Sequence, residues 1–124
     1  MNTPFLGLRT TIYKVSDLEK AKEWYSQILG IKPYFDQPFY VGYNVGGYEL
    51  GLQPDEKNEA KADGVITYWG VEDIEATFKT LLDNGATSYE NPTEVGDGIV
   101  VAAVKDLWDN VVGIIYNPHF SVGT

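Results

Sequence analysis

Val15-Ser16-Asp17-Leu18-Glu19 and Val71-Glu72-Asp73-Ile74-Glu75 are one short pattern written twice in the same chain. Each copy follows a stretch rich in Thr, Ile, Tyr and Val, Leu8 to Val15 in the first and Val65 to Val71 in the second, the composition of a strand. Each then enters a helical pattern, with Leu18, Ala21, Tyr25, Ile28 and Leu29 at helical spacing in one and Ile74, Phe78, Leu81 and Leu82 in the other. Both patterns stop on a glycine, Gly30 and Gly85, the residue that most readily takes the left-handed conformation closing a helix. Ser16 and Glu19 have capping-box spacing, and Asp73 can cap the second helix by itself.

Outward from these helices the two halves stay parallel. Three short, glycine-punctuated strands follow each: Tyr34-Phe35, Phe39 to Val45 and Tyr48 to Gln53 in the first half, then Ala86 to Tyr89, Gly98 to Val104 and Val111 to Tyr116 in the second. Gly46-Gly47 supplies a two-residue hairpin turn, and Asp106 to Asn110 the corresponding connection later. Gln53-Pro54 closes one half and Asn117-Pro118 the other. The polar run Asp55 to Asp63 reads as a surface linker. The expected organisation is therefore one domain over residues 1–124, an α+β fold of two tandem βαβββ modules, about 5–54 and 64–118, forming a curved mixed sheet around a cavity. Each half, about 50 residues, is too small to bury a good core alone.

Composition excludes several functions. The 124 residues contain no cysteine and one histidine, His119, so disulfides, thiolate metal sites and multi-imidazole zinc sites cannot form within one chain. A net charge of -9 lacks the clustered Lys and Arg that phosphate contacts need, which argues against nucleic acid and anionic membranes. Neither a signal-peptide pattern nor an apolar run of spanning length occurs, and a cytoplasmic protein is expected. Aromatic residues are plentiful, 3 Trp, 9 Tyr and 5 Phe, and Tyr34, Phe35, Phe39, Tyr40, Tyr43 and Tyr48 crowd into residues 34–48. Strand alternation puts Phe39, Val41, Tyr43 and Val45 on one face and Tyr40, Gly42 and Asn44 on the other, leaving open which face is functional.

The tandem modules, the Val-x-Asp-Leu/Ile openings, Trp24-Tyr25-x-x-x-Leu29-Gly30 and Asn84-Gly85-Ala86 resemble the vicinal oxygen chelate superfamily, from Phe5 to Pro118. That superfamily includes glyoxalase I, bleomycin- and fosfomycin-resistance proteins and extradiol dioxygenases. Asp106-Leu107-Trp108-Asp109-Asn110 looks like its Asp-Pro-x-Gly-Asn turn with the proline and first glycine replaced. The resemblance implies that metal-dependent members take two ligands from each half, one on the first strand and one on the last. Counting back from the helix-start motif places the first-strand position at Thr10 in the first half and at Ile66 (or Val65) in the second; the last-strand position is Glu49, and its counterpart, reached from the Asp-turn motif and from aligning Pro54 with Pro118, is Gly113. Only Glu49 matches, and one carboxylate is a poor site for a divalent ion.

The expectation is accordingly a metal-free, cofactor-free homodimer that binds a planar, aromatic or cationic small molecule, as the bleomycin-resistance branch does. The alternative is a lyase or isomerase with Glu49 as general base or residual metal ligand; a protein-interaction module is a third reading. Metal-dependent glyoxalase or dioxygenase activity is not expected. Candidate pocket residues are Thr10, Ile12, Lys14, Tyr43, Glu49, Gly51, Ile66, Trp69, Trp108 and Gly113. The family pattern turns Glu49, Gly51 and Gln53 toward the cavity; the same parity gives Thr10, Ile12 and Lys14, with Lys14 near the mouth. Trp69 has an ambiguous direction because Gly70 invites a bulge, Trp108 occupies a turn where a lid or partner contact is expected, Trp24 reads as scaffold or interface, and His119 reads as a solvated tail.

Overall fold

Asp17 and Asp73 start the two helices in the same way. In the computed structural model, which describes residues 3–4, 8–57, 61 and 64–120, helix α1 (Leu18–Leu29) is capped by Asp17, whose carboxylate accepts from Lys20 N at 3.1 Å. Helix α2 (Ile74–Asp83) is capped by Asp73, which accepts from Ala76 N at 3.0 Å. The cap of α1 is thus Asp17 and not Ser16: the helix starts one residue later than the capping-box reading expects, and the aspartate common to both motifs takes the orphan amide. Gly30, at φ 71°, ends α1. At the end of α2, Gly85 (φ 99°) donates to Leu82 O at 3.0 Å and Ala86 to Leu81 O at 3.1 Å, the paired bonds of a Schellman ending.

The strands are β1 (Thr10–Val15), β2 (Phe35–Gln37), β3 (Tyr40–Val45), β4 (Tyr48–Pro54), β5 (Tyr68–Gly70), β6 (Thr87–Gly96), β7 (Ile99–Lys105) and β8 (Val111–Tyr116). They form two four-stranded mixed sheets of identical connectivity, ordered β1-β4-β3-β2 and β5-β8-β7-β6. In each, the first strand runs parallel to the last and the remaining pairs are antiparallel. The chain divides into two compact units, residues 1–58 and 59–124, each with one βαβββ module. Gly46 and Gly47, both at positive φ, make the expected tight turn, and Asn44 Oδ1 accepts from Gly47 N at 2.9 Å. Residues 5–7, 58–60 and 62–63, where the first module's start and the middle of the linker are expected, lie outside the described residues.

Two strands depart from expectation. β5 is only three residues long, and Val65 is exposed. β6 extends past Asn91-Pro92 to Gly96, with register shifts along its length. A proline that would break a central strand is tolerated because β6 is the sheet edge, where a missing N–H removes no ladder bond on the open side.

In the first unit α1 packs on the face carrying Tyr13, Val15, Val41, Tyr43, Leu50 and Leu52, all buried. Tyr25 of α1 stacks on Tyr13 with ring centroids 5.9 Å apart, and Trp24, expected as scaffold or interface, is buried edge-on to Tyr25 at 4.9 Å. Each such side chain contributes about 1.5–3 kcal/mol of hydrophobic stabilisation. In the second unit Ile74, Phe78 and Leu81 of α2 are buried together with Ala102, Val104, Val112 and Ile114. Asp106, buried in the β7–β8 turn, accepts from Trp108 N and Asn110 N, both at 2.8 Å, and from Asn110 Nδ2 at 3.0 Å. No described helix is long and apolar enough to cross a membrane.

Candidate functional site

Residues in direct register across a sheet share a face, and this settles the aromatic stretch. Thr10 pairs with Glu49, Ile12 with Gly51 and Lys14 with Gln53; Gly51 pairs with Gly42, and Phe35 with Gly42 on the far side. Thr10, Ile12, Lys14, Glu49, Gly51, Tyr40, Gly42 and Phe35 therefore occupy the face of the first sheet that α1 leaves uncovered. Tyr43 belongs to the other face. Its ring is fully buried, and its hydroxyl donates to Lys22 O at 2.9 Å and meets Ser26 Oγ at 2.8 Å, both on α1. Its inclusion among the pocket residues is corrected accordingly: it holds the helix to the sheet.

Glu49 is the centre of the uncovered face. Tyr34 Oη donates to Glu49 Oε1 at 2.6 Å, and Tyr40 Oη donates to Glu49 Oε2. Two glycines make this possible. A Cβ on Gly51 would lie 2.0 Å from Tyr40 Oη, so the tyrosine ring crosses the sheet over Gly51 only because nothing projects there. A Cβ on Gly42 would crowd Glu49 Oε2 at 3.1 Å and the rings of Tyr34 and Tyr40 at 3.3 Å. Gly42 and Gly51 are thus the floor, and the two phenols are walls on either side of the carboxylate.

Burial first, then the hydrogen bond to Glu49 and its negative charge, raise the Tyr40 phenol well above the ordinary range. The hydrogen bond to Glu49 is the main cause of a rise at Tyr34. Both phenols stay protonated donors. Phe35 extends the aromatic surface, 6.1 Å from Tyr40 and 6.1 Å from Phe39, and Tyr34 and Phe39 are about two-thirds exposed at 64% and 66%.

The ligand positions implied by the resemblance can be placed by register. Glu49 N donates to Arg9 O at 2.9 Å, and Gly113 N to Thr67 O at 3.0 Å. Glu49 and Gly113 are therefore equivalent, as expected, and the equivalent of Thr10 is Tyr68, not Ile66. Tyr68 stands five residues before its helix cap and Thr10 seven, so counting back from the cap overshoots by two positions. Ile66 precedes β5 and is exposed. At Gly113 a Cβ would lie 2.6 Å from Thr67 O and 2.7 Å from the Tyr68 ring. Taken unit by unit, these positions hold a threonine hydroxyl and a carboxylate that accepts from two phenols in the first, and a phenol and a glycine in the second. These residues do not fit a divalent ion, and among the described residues no three His, Cys, Asp or Glu side chains group for one.

The remaining candidates separate. Trp69 pairs with Ile114, whose side chain is buried, and so faces opposite to Gly113; the expected bulge at Gly70 is absent and parity holds through it. Trp108 sits half-buried in the Asp106–Asn110 turn, its amide held by Asp106. His119 is exposed but tethered, its Nε2 2.8 Å from Asp97 O. A groove of about 410 Å³ between Lys22, Ser26, Lys32 and Asp36 lies on the α1 side, away from Glu49, and Lys22 there is already paired with Asp36 and Glu19.

Tyr34 and Tyr40 are the site residues missing from the sequence-derived pocket. The signal was the alternation Tyr40-x-Gly42 beside Glu49-x-Gly51, a large ring next to glycines on the neighbouring strand.

Fold, ligand positions and chain order together define a two-module α+β protein built on the vicinal oxygen chelate plan. The sequence model of the Glyoxalase/Bleomycin resistance protein/Dioxygenase superfamily matches residues 7–114, and the chain belongs to that family. It is similar to uncharacterized protein YurT of Bacillus subtilis (strain 168), with 29% identity covering 86% of this chain and 94% of that one. Among solved structures it resembles a glyoxalase-related enzyme from Fulvimarina pelagi, at 17% identity with a TM-score of 0.78 over 97% of this chain and 94% of that one. It also resembles a lactoylglutathione lyase from Agrobacterium tumefaciens, at 16% identity with a TM-score of 0.71 over 95% and 100% of the two chains. At these identities the structural likeness establishes the fold.

Proposed function

We propose that this protein is a metal-independent small-molecule-binding member of the superfamily, with its ligand, planar and aromatic or cationic, lying on the uncovered face of the first sheet. The observation that carries the proposal is the engagement of both Glu49 oxygens by Tyr34 and Tyr40. The one carboxylate left at the ligand positions is oriented by phenols and framed by exposed aromatic rings, an arrangement suited to stacking and charge recognition. The same engagement weighs against Glu49 as a general base, which needs an oxygen directed at a substrate proton. A homodimer forms part of the proposal, and sedimentation at micromolar concentration tests it: a species of 13.8 kDa alone overturns it.

Ligand binding is tested by titrating planar aromatic and cationic compounds against intrinsic fluorescence, with and without a chelator. Saturable binding that the chelator leaves unchanged is expected. Stabilisation by Mn, Ni, Zn or Fe that Glu49→Gln abolishes would instead establish a metal site, because a tightly bound ion raises stability by mass action.

A further inference from the structure

Asn84-Gly85 is the only Asn-Gly pair in the chain, and it falls at the end of α2. Such a pair carries its own chemistry. The glycine nitrogen, with no side chain beside it, attacks the asparagine Cγ: a C–N bond forms, the attacking nitrogen gives up its proton, and the side-chain nitrogen leaves as ammonia. Water then opens the resulting succinimide at one carbonyl or the other, which gives aspartate or isoaspartate. No oxidant or reductant is needed. Asn91, further along, precedes Pro92, whose nitrogen has no proton to lose.

The fold holds both reacting groups of Asn84-Gly85 elsewhere. Gly85 N, the nucleophile, donates to Leu82 O at 3.0 Å, and the next amide, that of buried Ala86, donates to Leu81 O at 3.1 Å. Asn84 Nδ2, the leaving group, donates to Thr80 O at 2.8 Å. Reaction requires Gly85 N to lose the proton that its bond to Leu82 O retains, and the Asn84 side chain to swing off Thr80 O. Both bonds belong to the helix ending, so both are released when that ending opens.

The product does not fit the same ending. A carboxylate at position 84 has no hydrogen to donate to Thr80 O. It stands at the negative end of the α2 dipole beside Asp83, and the last turn carries no basic residue to offset it. Isoaspartate also adds a backbone atom between residues 84 and 85, inside the spacing that the paired bonds to Leu81 O and Leu82 O require.

We propose that Asn84 is a self-modification site that the C-terminal end of α2 keeps shut: it deamidates only while that end is open, and the modified end does not close as before. The wild-type protein is incubated in mildly alkaline buffer, folded and, in parallel, unfolded in urea. The tryptic peptide spanning residues 80–105 is then sequenced by mass spectrometry over time.

Conversion of Asn84 is expected to be at least about tenfold slower in the folded protein, because its rate is the unfolded rate multiplied by the fraction of time the helix end is open. Equal rates overturn the proposal. The modified protein is separated by its added negative charge, and its Gly85 and Ala86 amides are expected to exchange with solvent at least about tenfold faster than in the unmodified protein. Unchanged protection of those amides would show that the end recloses, and overturns the one-way character of the site. Both comparisons use the wild-type sequence and so do not depend on a variant that folds.

Discussion

Tyr34 Oη stands 2.6 Å from Glu49 Oε1 across fifteen residues of chain, and donates to the carboxylate at the position where the family resemblance implies a ligand. Together with Tyr40 it orients that carboxylate in an aromatic setting. The relationship depends on two glycines in register on adjacent strands, Gly42 and Gly51.

Gly51 is accordingly the most sensitive position on that face. Gly51→Ala puts a methyl group where Tyr40 Oη now lies, 2.0 Å away, so the ring must leave Glu49. Overpacking of this kind costs about 1–3 kcal/mol, read as a lowered urea midpoint with an unchanged slope. Ligand affinity should fall with it, whereas Tyr40→Phe should retain the ring packing and the floor.

Alkaline pH should weaken the fold through Tyr40. Its folded phenol ionises above the ordinary 10.0 because of burial first and Glu49 second. The unfolded chain then loses this proton at lower pH than the folded one. The associated stability is complete below about pH 10 and is lost as pH rises above it. Denaturation midpoints measured across that range should decline, and Tyr40→Phe should flatten the decline. An identical slope in the variant would show that Tyr40 does not contribute.

Tyr43 tests the assignment of faces. Tyr43→Phe removes the donor to Lys22 O and the contact with Ser26 Oγ inside the helix–sheet core. A loss of about 1–2 kcal/mol in stability is expected, with ligand affinity unchanged. A variant of normal stability with impaired binding would put Tyr43 back in the pocket.

In the second unit Asp106→Ala leaves the amides of Trp108 and Asn110 and the Asn110 side chain without their acceptor in a buried turn. A loss of about 3 kcal/mol follows, detected by thermal unfolding, with Asp106→Asn recovering part of it.

Restoring the missing carboxylate should not restore a metal site. Gly113→Glu places a Cβ 2.6 Å from Thr67 O, and backbone cannot give way as a side-chain tip can. The variant is expected to be destabilised and to show no thermal shift with Ni or Zn. A clear shift would mean that the second unit can still present a ligand.

Much of the architecture was legible because the signals are local. The caps at Asp17 and Asp73, the glycine endings, the Gly46-Gly47 turn and the Asp106–Asn110 turn each depend on residues within a few positions of one another. Glu49 and Gly113 could be aligned because the repeat carries its own internal reference. Tyr68 was missed for the converse reason: it is defined by pairing with β8, and it stands two residues nearer its helix cap than Thr10 does.

The sequence by itself determined the duplicated βαβββ plan and left the ligand positions implied by the resemblance without a full donor set, since Gly113 has no side chain to offer and the sole histidine, His119, lies outside them. It also showed that aromatic residues crowd into residues 34–48. Only the tertiary structure decided which of them face the carboxylate. Alternation sorts a strand into two faces, but which face a helix covers follows from Tyr25 on Tyr13 and from Tyr43 against Lys22 and Ser26, contacts between elements distant in sequence. The Tyr34–Glu49–Tyr40 grouping depends on strand register and on two side chains that glycine does not have.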